Sequence, residues 1–238
     1  NKMLQSQTSD ITENNWHHIA FSYDENGVNL FVDGVLKSSN LDVNIDTSVE
    51  SLQNMILGSN IDGLVDNVKI YDSALSQTEI QHLAYSGNYD LALSDKVTEL
   101  KFNEFDVEPQ VLKNESGNDA TISGANPLYT YGFVEGSKAL VMNQADIALN
   151  DTISLNELSM SAWVNLDNLT SGENLIVGNS AATVKFYLNN GEIKLKLNNI
   201  DIPFTDATGG VVSLKGERFN LNFNAANDLD TSPDAATN

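Results

Sequence analysis

The stretch "NNWHHIAFSYDENGVNLFVDG", residues 14–34, decides the fold. Its first half alternates as the two faces of a β-strand do, with Trp16, His18, Ala20 and Ser22 on one side and His17, Ile19, Phe21 and Tyr23 on the other. Residues 24–27 predict a turn, and Asp33-Gly34 predicts a tight hairpin turn with positive φ. The stretch is therefore predicted to be a three-stranded β-meander.

The charge of the chain limits the partners that it can bind. Its 238 residues include 33 acidic and 12 basic side chains, for a formal charge of −21. Such a surface repels nucleic acid and anionic lipid and attracts divalent cations. No apolar run reaches the ~20 residues of a membrane span, so we expect neither nucleic-acid binding nor membrane insertion.

The absence of cysteine excludes disulfides, thiolate metal sites and cysteine nucleophiles. An acidic, cysteine-free chain rich in Asn, Asp, Ser and Thr is typical of secreted proteins that function in salt or calcium. We therefore expect an extracellular or cell-surface location. Because the chain opens within a β pattern, we also expect it to be a piece of a larger chain with neighbouring domains as partners.

The rest of the sequence continues the β pattern with one exception. Ser76 and Glu79 form a capping box before an apolar stripe, which predicts a short helix near residues 76–86. Short predicted strands follow, and Asn190-Gly191 predicts a hairpin. Many short strands with little helix indicate an all-β antiparallel sandwich.

Several motifs resemble the laminin G-like, concanavalin A-like jelly-roll domains of bacterial surface and secreted proteins. "WHHIAFSYD", "LFVDG" and "GLVDNVKIYDSALSQTEI" are similar to the closing half of that domain. "LKFNE", "NESGNDATISG", "GSKALVMN" and "LSMSAWVNLD" are similar to its opening half. The resemblance implies a concanavalin A-like jelly roll, in which the closing half comes first along this chain.

This order has two interpretations. In the one that we favour, residues 1–90 are the closing part of one domain, residues 91–96 are a linker, and residues 97–238 are the opening part of a second domain. Asp66 and Asn114 would then lie in different domains. In the alternative, both parts form one circularly permuted sandwich.

The resemblance also implies a calcium site between a loop of the opening half and an aspartate of the closing half. The corresponding residues are Asp66, Asn114, Ser116 and Asn118. Asparagine at position 114, where the family pattern has aspartate, removes one charge and would weaken such a site. The structural alternative is an Asx-turn that stabilises its own backbone.

Two further groups are candidates for catalysis or metal binding. Glu104, Asp106 and Glu108 resemble the catalytic strand of laminarinase-like hydrolases, but Pro109 ends the segment at once and favours an acidic loop. His17 and His18 face opposite sides of a strand, which favours structural roles over metal binding.

Sugar binding is the last candidate chemistry. It commonly uses aromatic side chains, and the ligand-binding candidates are Tyr129, Tyr131 and Trp163. Trp163 lies opposite an apolar face, so it belongs either to an exposed concave surface or to a second core layer. Together the patterns favour a non-catalytic recognition or adhesion module, not an enzyme, that binds a glycan or a partner surface with calcium as a possible cofactor. A structural spacer without ligand and a polysaccharide hydrolase are the alternatives.

Overall fold

The computed structural model describes residues 10–41, 51–86, 95–103, 111–123, 128–133, 136–142, 145–154, 156–169, 172–179, 184–197, 200–201 and 205–206. The strands are β1 (Trp16–Asp24), β2 (Gly27–Val32), β3 (Val35–Asn40), β4 (Ser51–Leu52), β5 (Met55–Leu57), β6 (Gly63–Tyr71), β7 (Lys96–Leu100), β8 (Val111–Leu112), β9 (Ala120–Ser123), β10 (Leu128–Tyr131), β11 (Lys138–Val141), β12 (Asp146–Leu149), β13 (Ile153–Ser154), β14 (Leu158–Leu166), β15 (Glu173–Asn179), β16 (Val184–Asn189), β17 (Glu192–Leu197), β18 (Ile200–Asp201) and β19 (Thr205–Asp206). A helix, α1 (Gln77–Ser86), follows β6. The predicted all-β antiparallel sandwich with one short helix is confirmed.

Two antiparallel sheets form the sandwich, which lies within the unit Asn1–Thr205. The larger sheet contains the strand order β10-β11-β6-β14-β1-β2-β3, with β7 also paired to β6. The smaller sheet has the order β18-β17-β16-β15-β5-β12-β9-β8, and β4 pairs with β13 separately. No helix in the described part of the chain is long and apolar enough to cross a membrane.

Strands from before and after residue 96 lie side by side in both sheets. In the larger sheet, β14 lies between β6 and β1 and pairs with both. In the smaller sheet, β5 lies between β15 and β12. The favoured interpretation as two separate domains does not agree with this order, which is that of one sandwich.

The physical reason for the shared sheets is the burial of β14. Eight of its nine residues are buried, on both faces of the sheet, and Asn165 is partly buried. A strand of this kind needs a hydrogen-bonded partner along each edge, and the strands beside it come from the first block. The short predicted linker, residues 91–96, lies mostly outside the described residues.

The core lies between the two sheets, and a second apolar cluster lies on the opposite face of the larger sheet. Ile19 and Phe21 of β1 point into the main core, whereas Ala20 packs with Phe31 under α1. The predicted helix stripe is buried as expected, with Ile80 at 0% exposure. We call this second face the outer face of the larger sheet.

The local turn predictions are confirmed. Asp33 and Gly34 have φ values of 50° and 72°, and Asn190 and Gly191 have 52° and 77°. Both pairs occupy the left-handed region that a two-residue hairpin turn requires. The tail "GERFNLNFNAAND", which resembles a second copy of the meander, lies outside the described residues.

Candidate functional site

The outer face of the larger sheet carries a row of side chains on three neighbouring strands. His18 of β1 lies opposite Trp163 of β14, and Trp163 lies opposite Asp66 of β6. Residues opposite one another on adjacent strands share a face, so these three side chains lie together. With Trp16 and Phe133 they form what we call the aromatic corner.

Phe133 covers this corner. Its ring stacks on that of Trp163, with centroids 3.4 Å apart and an interplanar angle of 11°, and it meets the edge of Trp16 at 6.4 Å. Trp163 is 5% exposed as a result, whereas Phe133 itself is 36% exposed. The corner is therefore closed by an aromatic side chain from the same chain.

Asp66 holds the covering segment in place. Its Oδ2 accepts hydrogen bonds from the Phe133 N–H at 3.0 Å and from the Ser137 hydroxyl at 3.3 Å. Gly132 lies against the same carboxylate, and an added Cβ there would collide with Asp66 Oδ2 and Ser137 Oγ. Burial raises the pKa of Asp66 to about 6, and its hydrogen bonds only partly offset that effect.

The two adjacent histidines have separate structural environments. His17 Nε2 accepts the Thr12 N–H at 3.1 Å, so the other ring nitrogen donates to Asp33 at 2.9 Å. His18 is buried beside Trp163, and burial lowers its pKa to about 3. Burial alone would raise the pKa of Asp33, but hydrogen bonds from His17 and the His18 N–H outweigh it and lower that pKa.

The three residues predicted to bind sugar do not form one surface. Tyr129 packs against the main core, and Trp163 lies beneath Phe133. Tyr131 is 80% exposed on β10, with the Lys138 ammonium 5.2 Å from its ring centroid. Trp163 is therefore in a second packed layer on the outer face, which is one of the two alternatives that its pattern allows.

The predicted calcium residues belong to two separate hydrogen-bonded groups. Asp66 belongs to the aromatic corner, whereas Asn114, Ser116 and Asn118 lie in the loop before β9. Asp66 shares no hydrogen-bond partner with these three among the described residues. In the same part of the chain, no group of three or more His, Cys, Asp and Glu side chains is placed to hold a metal ion.

The other end of the outer face is open. A cleft of about 340 Å³ lies between the strands β1 to β3 and the start of α1. We call it the helix-side cleft, and it is lined by Ser22, Asp24, Gly27, Asn29, Phe31, Leu36, Ala74, Leu75, Ser76 and Gln77. Its volume is within the range of small-ligand sites, roughly 300 to 1,000 Å³.

Polar groups surround an apolar floor in this cleft. Phe31 and Leu36 form the floor, and Phe31 is held there by its contacts under α1. The start of α1 is fixed by the predicted capping box, in which the Ser76 N–H and hydroxyl both donate to Glu79 Oε2.

The side chains of Asn29 and Gln77 line this cleft, and neither makes a hydrogen bond to another described residue. The sequence gives little sign of this, because Asp24-Glu25-Asn26-Gly27 is typical of an ordinary turn.

The comparison with protein families agrees with this geometry. Residues 3–81 match the model of the concanavalin A-like lectin/glucanases superfamily. The match covers about a third of the chain and identifies residues 3–81 as part of a laminin G-like, concanavalin A-like domain. Every residue that lines the helix-side cleft lies in the matched region of this domain. Neither the search of curated proteins nor that of solved structures found a match.

The superfamily includes both sugar-binding lectins and sugar-cleaving glucanases. The match therefore supports a module of the carbohydrate-binding type. The acidic segment with Glu104, Asp106 and Glu108, which raised the hydrolase alternative, lies outside the described residues.

Proposed function

We propose that this concanavalin A-like domain is a non-catalytic, extracellular carbohydrate-binding module that serves in recognition or adhesion. The observation that carries the proposal is the helix-side cleft, where the amides of Asn29 and Gln77, which bond to no other described residue, lie around an apolar floor. Sugar rings present hydroxyl groups at their edges and C–H groups on their faces, so this arrangement suits them. The net charge of −21 favours neutral over acidic glycans as ligands.

The small number of carboxylates in the cleft favours sugar binding over sugar hydrolysis. Glycosidases commonly place two carboxyl groups on opposite sides of the bond that they cleave. Among the residues that line the cleft, Asp24 is the one carboxylate. Both of its oxygens accept hydrogen bonds from Asn26, at 2.8 and 3.1 Å, so it serves the turn between β1 and β2.

Binding is tested first with a glycan array and then by calorimetry with the glycans that bind. The double variant N29A/Q77A removes two unpaired amides from the cleft wall without changing its floor. Each lost hydrogen bond weakens binding by about 1 kcal/mol, so the dissociation constant should rise about 30-fold. Tyr131→Ala is the matched control, because it removes an exposed aromatic far along the sheet order, and it should change affinity less than about twofold.

Two results would contradict glycan binding at the cleft. One is loss of binding in Tyr131→Ala with full binding in N29A/Q77A. The other is the absence of any array signal, which would favour a structural spacer. Release of reducing sugar from a polysaccharide by the wild-type protein would favour the hydrolase instead.

A further inference from the structure

A buried carboxylate, Asp151, organises the loop of residues 113–119. It is 5% exposed and accepts four hydrogen bonds. Its Oδ2 accepts from the Thr98 hydroxyl at 2.8 Å and from Asn114 Nδ2 at 2.5 Å. Its Oδ1 accepts from the backbone N–H and the side-chain amide of Asn118, at 2.7 and 3.1 Å. Both oxygens are therefore satisfied by donors of the protein itself.

The amide of Asn114 has one favourable orientation. Its Oδ1 accepts the backbone N–H groups of Glu99 and Ser116, at 2.8 and 3.0 Å. Its Nδ2 donates to Asp151 and to the Asn118 carbonyl. A flipped amide would place N–H donors against N–H donors and an oxygen against a carboxylate. The atom of Asn114 that faces Asp151 is therefore a donor, which cannot bind a cation.

The space beside Asp151 is filled as well. A Cβ added at Gly117 would lie 2.5 Å from Asp151 Oδ1 and 2.7 Å from Oδ2, so the loop backbone packs directly on the carboxylate. Calcium takes six to eight oxygen ligands in proteins. Here the oxygens of Asp151 and the side-chain oxygen of Asn114 face N–H and O–H donors, and Asp66 belongs to another group. The residues present do not fit the calcium ion that the family resemblance implies.

We propose that the hydrogen-bonded pair of Asn114 and Asp151 holds this loop in place of calcium, so that the fold of this domain does not depend on the ion. The same geometry means that the residue at position 114 decides whether a hydrogen bond or a cation holds the loop. An aspartate there would bring two carboxylate oxygens together at the 2.5 Å now occupied by a hydrogen bond. Two carboxylates at such a distance repel one another unless a proton or a cation lies between them.

The test compares melting temperatures in calcium chloride and in EDTA. The wild-type melting temperature should be the same in both. Asn114→Asp should melt several degrees lower than wild type in EDTA, and calcium should restore part of the loss, because a ligand that binds the folded state stabilises it. Asn54→Asp is the matched control, since it adds the same charge at an exposed position. It should respond to neither calcium nor EDTA.

A charge exchange completes the test. In N114D/D151N, one carboxylate again faces one amide, so the double variant should melt above Asn114→Asp in EDTA and lose the response to calcium. A wild-type protein that melts lower in EDTA than in calcium would overturn the proposal. So would an exchanged variant that still requires calcium. If Asn114→Asp alone does not fold, the melting temperatures of the wild type and of N114D/D151N in calcium and in EDTA still test the proposal.

Discussion

The two ends of the outer face use their polar side chains in opposite ways. In the aromatic corner, Phe133 covers Trp163, and Asp66 is fully buried with its hydrogen bonds directed to the covering segment. In the helix-side cleft, the amides of Asn29 and Gln77 surround an open space. A cluster of aromatic residues in the sequence therefore marks the closed end, and an inconspicuous turn marks the open end.

This difference shows that a sheet surface can bind a ligand where no other segment of the chain covers it, whatever residue types that surface carries. Both ends carry polar residues that sugars commonly contact. At the corner the Asp66 carboxylate is already paired within the chain and Phe133 covers Trp163, so a ligand would have to displace Phe133. At the cleft an open space of about 340 Å³ lies between the strands and the start of α1, and this volume is enough for a small ligand.

The largest effect that separates the two ends is expected from pH. Because the folded-state pKa of Asp66 is raised to about 6, its contribution to stability is complete below the unfolded value near 3.8 and is lost as pH rises through 6. Relative to Asp66→Asn, the wild type should lose about 3 kcal/mol of unfolding free energy between pH 3 and pH 8. Urea unfolding of both proteins across this range measures it, and parallel pH profiles would contradict the prediction.

A smaller effect is expected from filling the corner. Gly132→Ala adds a methyl group against Asp66 and Ser137 and should lower the unfolding free energy by about 2 kcal/mol. Gly136→Ala is the matched control, because no atom lies within 4 Å of the added Cβ and the cost arises from a φ of 83° alone, about 1 kcal/mol. If Gly136→Ala is the more damaging change, the corner is not closed as described.

Removing the cover should have a modest effect on stability. Phe133→Ala leaves Trp163 exposed and should lower the unfolding free energy by about 1.5 kcal/mol, since the lost ring is itself partly exposed. Tryptophan fluorescence should shift to longer wavelength as water reaches the indole ring. Glycan affinity should stay unchanged. A variant that gains or loses binding strongly would place the ligand at the corner.

The smallest effect is expected at the cleft. Ser76→Ala removes the hydroxyl that bonds to Glu79 and should cost about 1 kcal/mol of stability. Because Ser76 also lines the cleft, a weaker glycan affinity should accompany this loss. Thermal unfolding and calorimetry on the same sample measure both, and an unchanged affinity would separate the helix start from the binding surface.

Sequence patterns predict the local elements well because short-range interactions decide them. The meander, the Asn190-Gly191 turn and the capping box of Ser76 each depend on residues close in the chain. The strand order is different, because β14 pairs with β1 and β6 across more than eighty residues. No local pattern reports which edges a doubly buried strand will meet.

Contacts between distant residues at the candidate sites are hard to predict for the same reason. Phe133 and Trp163, which stack, are 30 positions apart in the sequence (163 − 133). Asn114 and Asp151, which share a hydrogen bond, are 37 positions apart (151 − 114). One sign was available in the second case. Asparagine in place of an expected aspartate suggests that the missing charge is supplied elsewhere, but the sequence does not identify Asp151 as its source.

The most direct test of the proposed binding site is to map a bound glycan by NMR. Backbone amide shifts of the labelled protein would be followed while an oligosaccharide selected by the array is added. The largest changes should occur at Gly27, Asn29 and Gln77 in the cleft, with little change at Tyr131 and Ser137. Changes confined to Tyr131, Phe133 and Ser137 would contradict the assignment and place the ligand at the aromatic corner.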